Sequence, residues 1–71
     1  MTLLGDYFLK KSINKAEVSR KTGISTPRLS ELSNKKNAKL RVDELYLIAL
    51  AIDVEPTEML SVLCKHLKLN K

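Results

Sequence analysis

A single cysteine, Cys64, leaves the chain without any intrachain disulfide. That fits a reducing cytoplasm. The one histidine, His66, lies two residues further on. On a helix the two side chains point about 200° apart, so they do not share a metal. No other Cys or His exists to complete a site, and no metal or cofactor is expected. No apolar run approaches the ~18 residues of a membrane span, and no basic-then-apolar leader pattern opens the chain. There is no G-x-S-x-G, P-loop, G-x-G-x-x-G or H-E-x-x-H. The acid pair Asp43-Glu44 reads as helix-start charge, which the helix dipole favours. Nothing therefore points to an enzyme. Cys64 reads as a small buried hydrophobe. The chain holds two glycines and two prolines, with no low-complexity stretch and no repeat. The 71 residues, 44% hydrophobic, make one domain spanning residues 1–71.

Positive charge is plentiful and uneven. The net charge is +5. Residues 1–41 hold ten Lys and Arg against three acids, and residues 42–71 hold three against five. A basic excess confined to one half is the electrostatic footprint of a nucleic-acid binder. The bland alternative is a solvated lysine-rich surface.

The stretch Asn14–Asn34, NKAEVSRKTGISTPRLSELSN, reads as two short helices around a tight turn. Asn14 is a good N-cap, and Glu17 is spaced to close a capping box with it. Lys15 to Thr22 makes two turns with Val18 inward. Gly23 stops the helix, because a left-handed C′ position costs glycine almost nothing. Ile24 plugs the corner. Ser25 caps the second helix, and Pro27 sits in its first turn, where a missing N–H does no harm. Leu29 and Leu32 face inward. Thr26, Pro27, Arg28, Glu31 and Asn34 face outward. A helix with two buried leucines and a small polar outer face suits a groove.

The flanks complete an all-α chain of five helices. Thr2 caps a first helix of roughly Leu3 to Lys11, with Leu4, Tyr7, Phe8 and Lys11 on one face. Gly5 weakens it slightly. Lys10 and Lys11 suit the helix dipole or a phosphate. Ile13 is placed to staple the next helix. There is no Gly at Lys35 to stop the helix that Ser25 caps, so Asn34 or Asn37 is expected to supply a left-handed residue instead. Lys35, Lys36, Lys39 and Arg41 form a basic loop, either solvated or clamping phosphates. Val42 to Ile52 is an amphipathic helix with Val42, Leu45, Ile48, Ala49 and Ile52 on its stripe. Tyr46 faces either the core or a partner. Pro56 opens the last helix, expected over residues 56–69. Val62, Leu63 and Leu67 extend its apolar face beyond what the core needs, and are expected to form a homodimer seam or an intramolecular brace.

The stretch Asn14–Asn34 resembles the helix-turn-helix of phage-repressor and Cro-like regulators, the XRE family. The matching residues are Asn14, Glu17, Val18, Gly23, Ile24, Ser25, Pro27, Leu29, Ser30 and Leu32. The run VDELYLIALAIDVEPTEML, Val42 to Leu60, is similar to that family's fourth helix and the start of its fifth. The resemblance implies a lambda-repressor-like domain acting as a sequence-specific transcriptional regulator, a repressor, that lays helix three in the major groove of a palindromic operator. Lys15 and the start of helix two would meet a phosphate. Arg28 would bond a guanine with two donors, and Glu31 would accept from a cytosine amino group. Thr26 and Pro27 would touch a thymine methyl. Ser25, Ser30, Asn34, Lys35, Lys36, Lys39 and Arg41 complete the expected DNA-binding set. Many members pair an Arg in helix one with a Glu near the end of helix three; the matching positions here are Phe8 and Ser33. Both partners are replaced together, and a joint replacement by uncharged groups can be neutral or stabilising. Two alternatives stand beside the regulator. One is an antitoxin of similar fold, with a toxin partner, that also represses its own promoter. The other is a protein-interaction module.

Overall fold

The computed structural model describes residues 1–70. Its five helices are α1 (Leu3–Lys10), α2 (Lys15–Thr22), α3 (Thr26–Asn34), α4 (Val42–Ala51) and α5 (Pro56–Cys64), with no strand among the described residues. No described helix is long and apolar enough to cross a membrane.

Local chemistry sets most of the ends. Asn14 Oδ1 accepts from the Ala16 and Glu17 N–H groups at 2.9 and 3.2 Å. Gly23 takes φ 81° and closes α2 through its N–H to the Ser19 carbonyl. Ser25 Oγ accepts from the Arg28 N–H at 3.2 Å. Pro27 lies in the first turn of α3, where its missing donor is not needed.

Three local expectations are corrected. Glu17 does not close a capping box; its carboxylate takes both Arg20 Nε and Nη2, at 2.9 and 2.8 Å. A forked pair with a neighbour one turn on competes better than a single backbone N–H. Neither Asn34 nor Asn37 is left-handed. Among the described residues the non-glycine residues with positive φ are Ser12 and Asp53, just after α1 and α4. The last helix stops at Cys64, so Leu67 lies beyond it.

The core is built from Leu4, Tyr7, Phe8, Val18, Leu29, Leu32, Ile48, Ala49, Met59 and Leu63. Leu29, Ile48 and Met59 are fully enclosed. Truncating such a leucine to alanine costs about 2–5 kcal/mol. Helix α3 packs on α1 and α2, α2 also on α4, and α4 on α5. Val42 does not join the stripe of α4: it is 86% exposed, and Glu44 is buried in that turn instead. Leu63 belongs to the core and Val62 is half-buried against it, so neither is free for a seam. The Phe8 and Ser33 positions hold without a charge. Phe8 is buried, and the buried Ser33 hydroxyl donates to the Leu29 carbonyl at 2.8 Å.

Helix α1 holds the end of α3 closely. The Thr2 N–H donates to the Ser33 carbonyl at 2.9 Å. The Thr2 hydroxyl lies 2.7 Å from the Leu32 carbonyl and 2.9 Å from that of Ser33. These carbonyls end a helix and would otherwise lack partners. Gly5 makes the approach possible, because a Cβ there would collide with the Ser33 carbonyl oxygen and with Met1 Cγ. Alanine gains about 1 kcal/mol of helix propensity over glycine, but overpacking against backbone costs about 1–3 kcal/mol. Gly5→Ala is therefore expected to lower the urea midpoint. A raised midpoint would show that α1 and α3 can separate at no cost.

Candidate nucleic-acid interface

The outer side of α3 is one helical stripe. Pro27, Ser30, Glu31, Asn34 and Lys35 recur at spacings of three and four and line one shallow concavity together with Arg28. Thr26, Pro27, Ser30, Asn34 and Lys35 are exposed, as is the cap Ser25; Glu31 is half-buried. The inward side is held by Leu29, Leu32 and Ser33. Burial on one side thus fixes which side is offered.

Basic groups bracket this stripe. Lys15, half-buried, opens α2. Asn14 Oδ1 occupies the N–H groups of Ala16 and Glu17. Charge on Lys15, more than a set of free amides, is therefore what the start of α2 offers an anion. At the far end come Lys35, Lys36, Lys39 and Arg41, all exposed. Among the described residues the three lysines have no ion-pair partner, whereas Arg41 pairs with Asp43 at 3.3 Å. That pair is more than half exposed on both sides, and such pairs contribute little. Asn34 Nδ2 turns back to the Ser30 carbonyl at 3.0 Å.

Arg28 behaves differently from the expectation of a free base reader. Its Nε donates to Glu44 Oε2 at 2.9 Å and its Nη2 to Glu44 Oε1 at 3.0 Å. Nη1 donates to Glu31 Oε1 and Nη2 also to the Lys39 carbonyl, each at 2.9 Å. Four of the five N–H groups of a guanidinium are thus committed within the chain. The two-donor edge needed for guanine is not open in this geometry. The hydrogen bonds from Arg28 hold the Glu44 carboxyl below its ordinary range, against the opposing effect of burial. Glu44 was not among the expected functional residues. Its position in the first turn of α4 is visible in the chain, but no local pattern pairs it with a residue sixteen positions earlier.

A family model described as a Cro/C1-type HTH DNA-binding domain matches residues 6–65. No curated protein and no solved structure matches the chain. The matched span takes in α2 and α3, the turn between them, the basic loop and all of α4 and α5. With five helices and an exposed, basic-flanked third helix, the chain belongs to the Cro/C1-type helix-turn-helix DNA-binding domains.

Proposed function

We propose that this protein is a sequence-specific transcriptional repressor that docks α3 in the major groove of an operator. The observation that carries the reading is the exposed stripe of α3 with Lys15 at one end and Lys35, Lys36, Lys39 and Arg41 at the other. In it, Thr26, Pro27, Ser30, Glu31 and Asn34 meet base edges, and Ser25 holds the first turn in place. The flanking cations meet phosphates, which supply affinity without sequence information.

A homodimer on a palindromic site belongs to the same reading, since one unit of this size reaches few base edges. The seam moves from the expected Val62, Leu63 and Leu67. In α4, Val42, Tyr46 and Leu50 recur every four residues, and all are at least half exposed. Leu60 of α5 shares a groove with Val42 and is 49% exposed. Exposed apolar side chains grouped in this way are ones that soluble monomers tend to cover.

Affinity for duplex DNA is expected to fall steeply with salt, with a logarithmic slope of about −0.9 per phosphate neutralised. Lys36→Ala should weaken binding to all sequences alike. Binding that is absent at low salt, or flat with salt, contradicts the reading.

Sedimentation equilibrium tests the seam. The wild type should self-associate and Leu60→Glu should not, with helicity retained, and palindrome binding should weaken in parallel. A wild type that stays monomeric both free and on a palindrome removes the dimer from the account.

A further inference from the structure

We infer that Arg28 is a positioning residue for DNA binding, not a base reader: with Glu44 it clamps the basic segment Lys39–Arg41 to α3 and sets the Glu31 carboxylate. The inference rests on the docking of α3 proposed above.

Two opposite charges join three pieces of chain. Glu44, 8% exposed, accepts from Arg28 Nε and Nη2 and also from the Arg41 backbone N–H at 3.0 Å. Arg28 Nη2 reaches the Lys39 carbonyl as well. The first turn of α3, the loop and the first turn of α4 therefore share one bonded cluster. Its two loop anchors are backbone atoms of Lys39 and Arg41, whose side chains are exposed and positive. A loop anchored at both residues loses less freedom when its cations meet phosphates. Withdrawing Arg28 toward a base would leave the largely buried Glu44 carboxylate with the Arg41 N–H alone and no counter-charge, which is unfavourable.

Glu31 gains a defined role from the same clamp. A carboxylate on a surface facing phosphates is repelled. Arg28 Nη1 holds Oε1 and offsets part of that charge, the guanidinium being shared with Glu44. Oε2 has no hydrogen-bond partner among the described residues. It is the oxygen available to accept from a cytosine amino group.

The test compares wild type, Glu44→Gln, Arg28→Lys and the double variant. Affinity is measured across a salt series, base preference by selection from random duplexes, and the Arg28 Nε–H signal by NMR. Circular dichroism checks that each variant is folded. The clamp predicts that Glu44→Gln weakens binding to every sequence roughly tenfold, the scale of a lost charge-assisted hydrogen bond. The salt slope should become shallower by about 0.9 for each phosphate that is no longer neutralised. Arg28→Lys should behave alike, because an ammonium lacks the planar fork. The double variant should be no worse than either single one, as coupled partners require. If Glu44→Gln unfolds, Arg28→Lys carries the same prediction.

A direct base contact predicts the opposite sign. Glu44→Gln would then release Arg28 and tighten binding to a guanine-containing site, and that result overturns the clamp. In the free wild type the Arg28 Nε–H should resist exchange with water, and in Glu44→Gln it should not. Rapid exchange in the wild type also overturns the clamp. A protected Nε–H in a wild type that binds no duplex would instead refute DNA docking while leaving the clamp's geometry intact.

Discussion

Glu44 is the point at which burial and charge meet in this domain. Its carboxylate is nearly enclosed, yet it carries three hydrogen bonds, two from Arg28 and one from the Arg41 backbone. A buried carboxylate without such partners would be costly. Satisfied, it ties the start of α4 to the first turn of α3 and holds the loop between them. Phe8 and Ser33, which face each other's helices at the α1–α3 contact, carry no charge. The ionic brace lies on the other side of α3. One side of that helix is held by Thr2 and Gly5 of the α1 region and the other by Glu44 of α4. Between them, α3 has little freedom to shift relative to the core.

That rigidity bears on recognition. Nine residues of helix offer a narrow stripe, and the stripe is useful only if its bearing on the flanking cations is fixed. The backbone at Lys15 is fixed by the Asn14 cap of α2. Lys39 and Arg41 are fixed through their backbones by the Arg28–Glu44 cluster. Lys35 and Lys36 follow directly on α3. The apolar face lies on α4 and α5, and its groove is edged by Lys36 and Arg41, so a partner copy there would leave the outer side of α3 open while bordering these two cations.

Much of this was legible in the chain because short-range chemistry decides it. Asn14, Gly23, Ser25 and Pro27 each act within four residues of themselves, and α2 begins and ends, and α3 begins, where they direct. The outer stripe of α3 followed from Leu29 and Leu32 facing inward. What was not legible depends on distant partners. Nothing local tells that Arg28 meets Glu44, that Gly5 lies under the Ser33 carbonyl, or that Val42 faces out while Glu44 faces in. Glu17 shows the limit even at short range, because Arg20 was an equally near claimant for its carboxylate. The apolar residues after Met59 read as one long ridge, but Leu63 turned into the core and the helix stopped at Cys64. Tyr7 is a further case: its buried hydroxyl has no partner among the described residues, and burial pushes its titration upward.

The central claim is that the α3 stripe and its flanking cations are the surface that meets duplex DNA. An NMR titration of the isotope-labelled protein with a selected duplex tests it most directly. The account predicts amide shifts concentrated at residues 14–16, 25–36 and 39–41, with the buried face of α5 at Met59 and Leu63 unmoved. Shifts centred on the exposed apolar face of α4 and α5, with α3 silent, would contradict it.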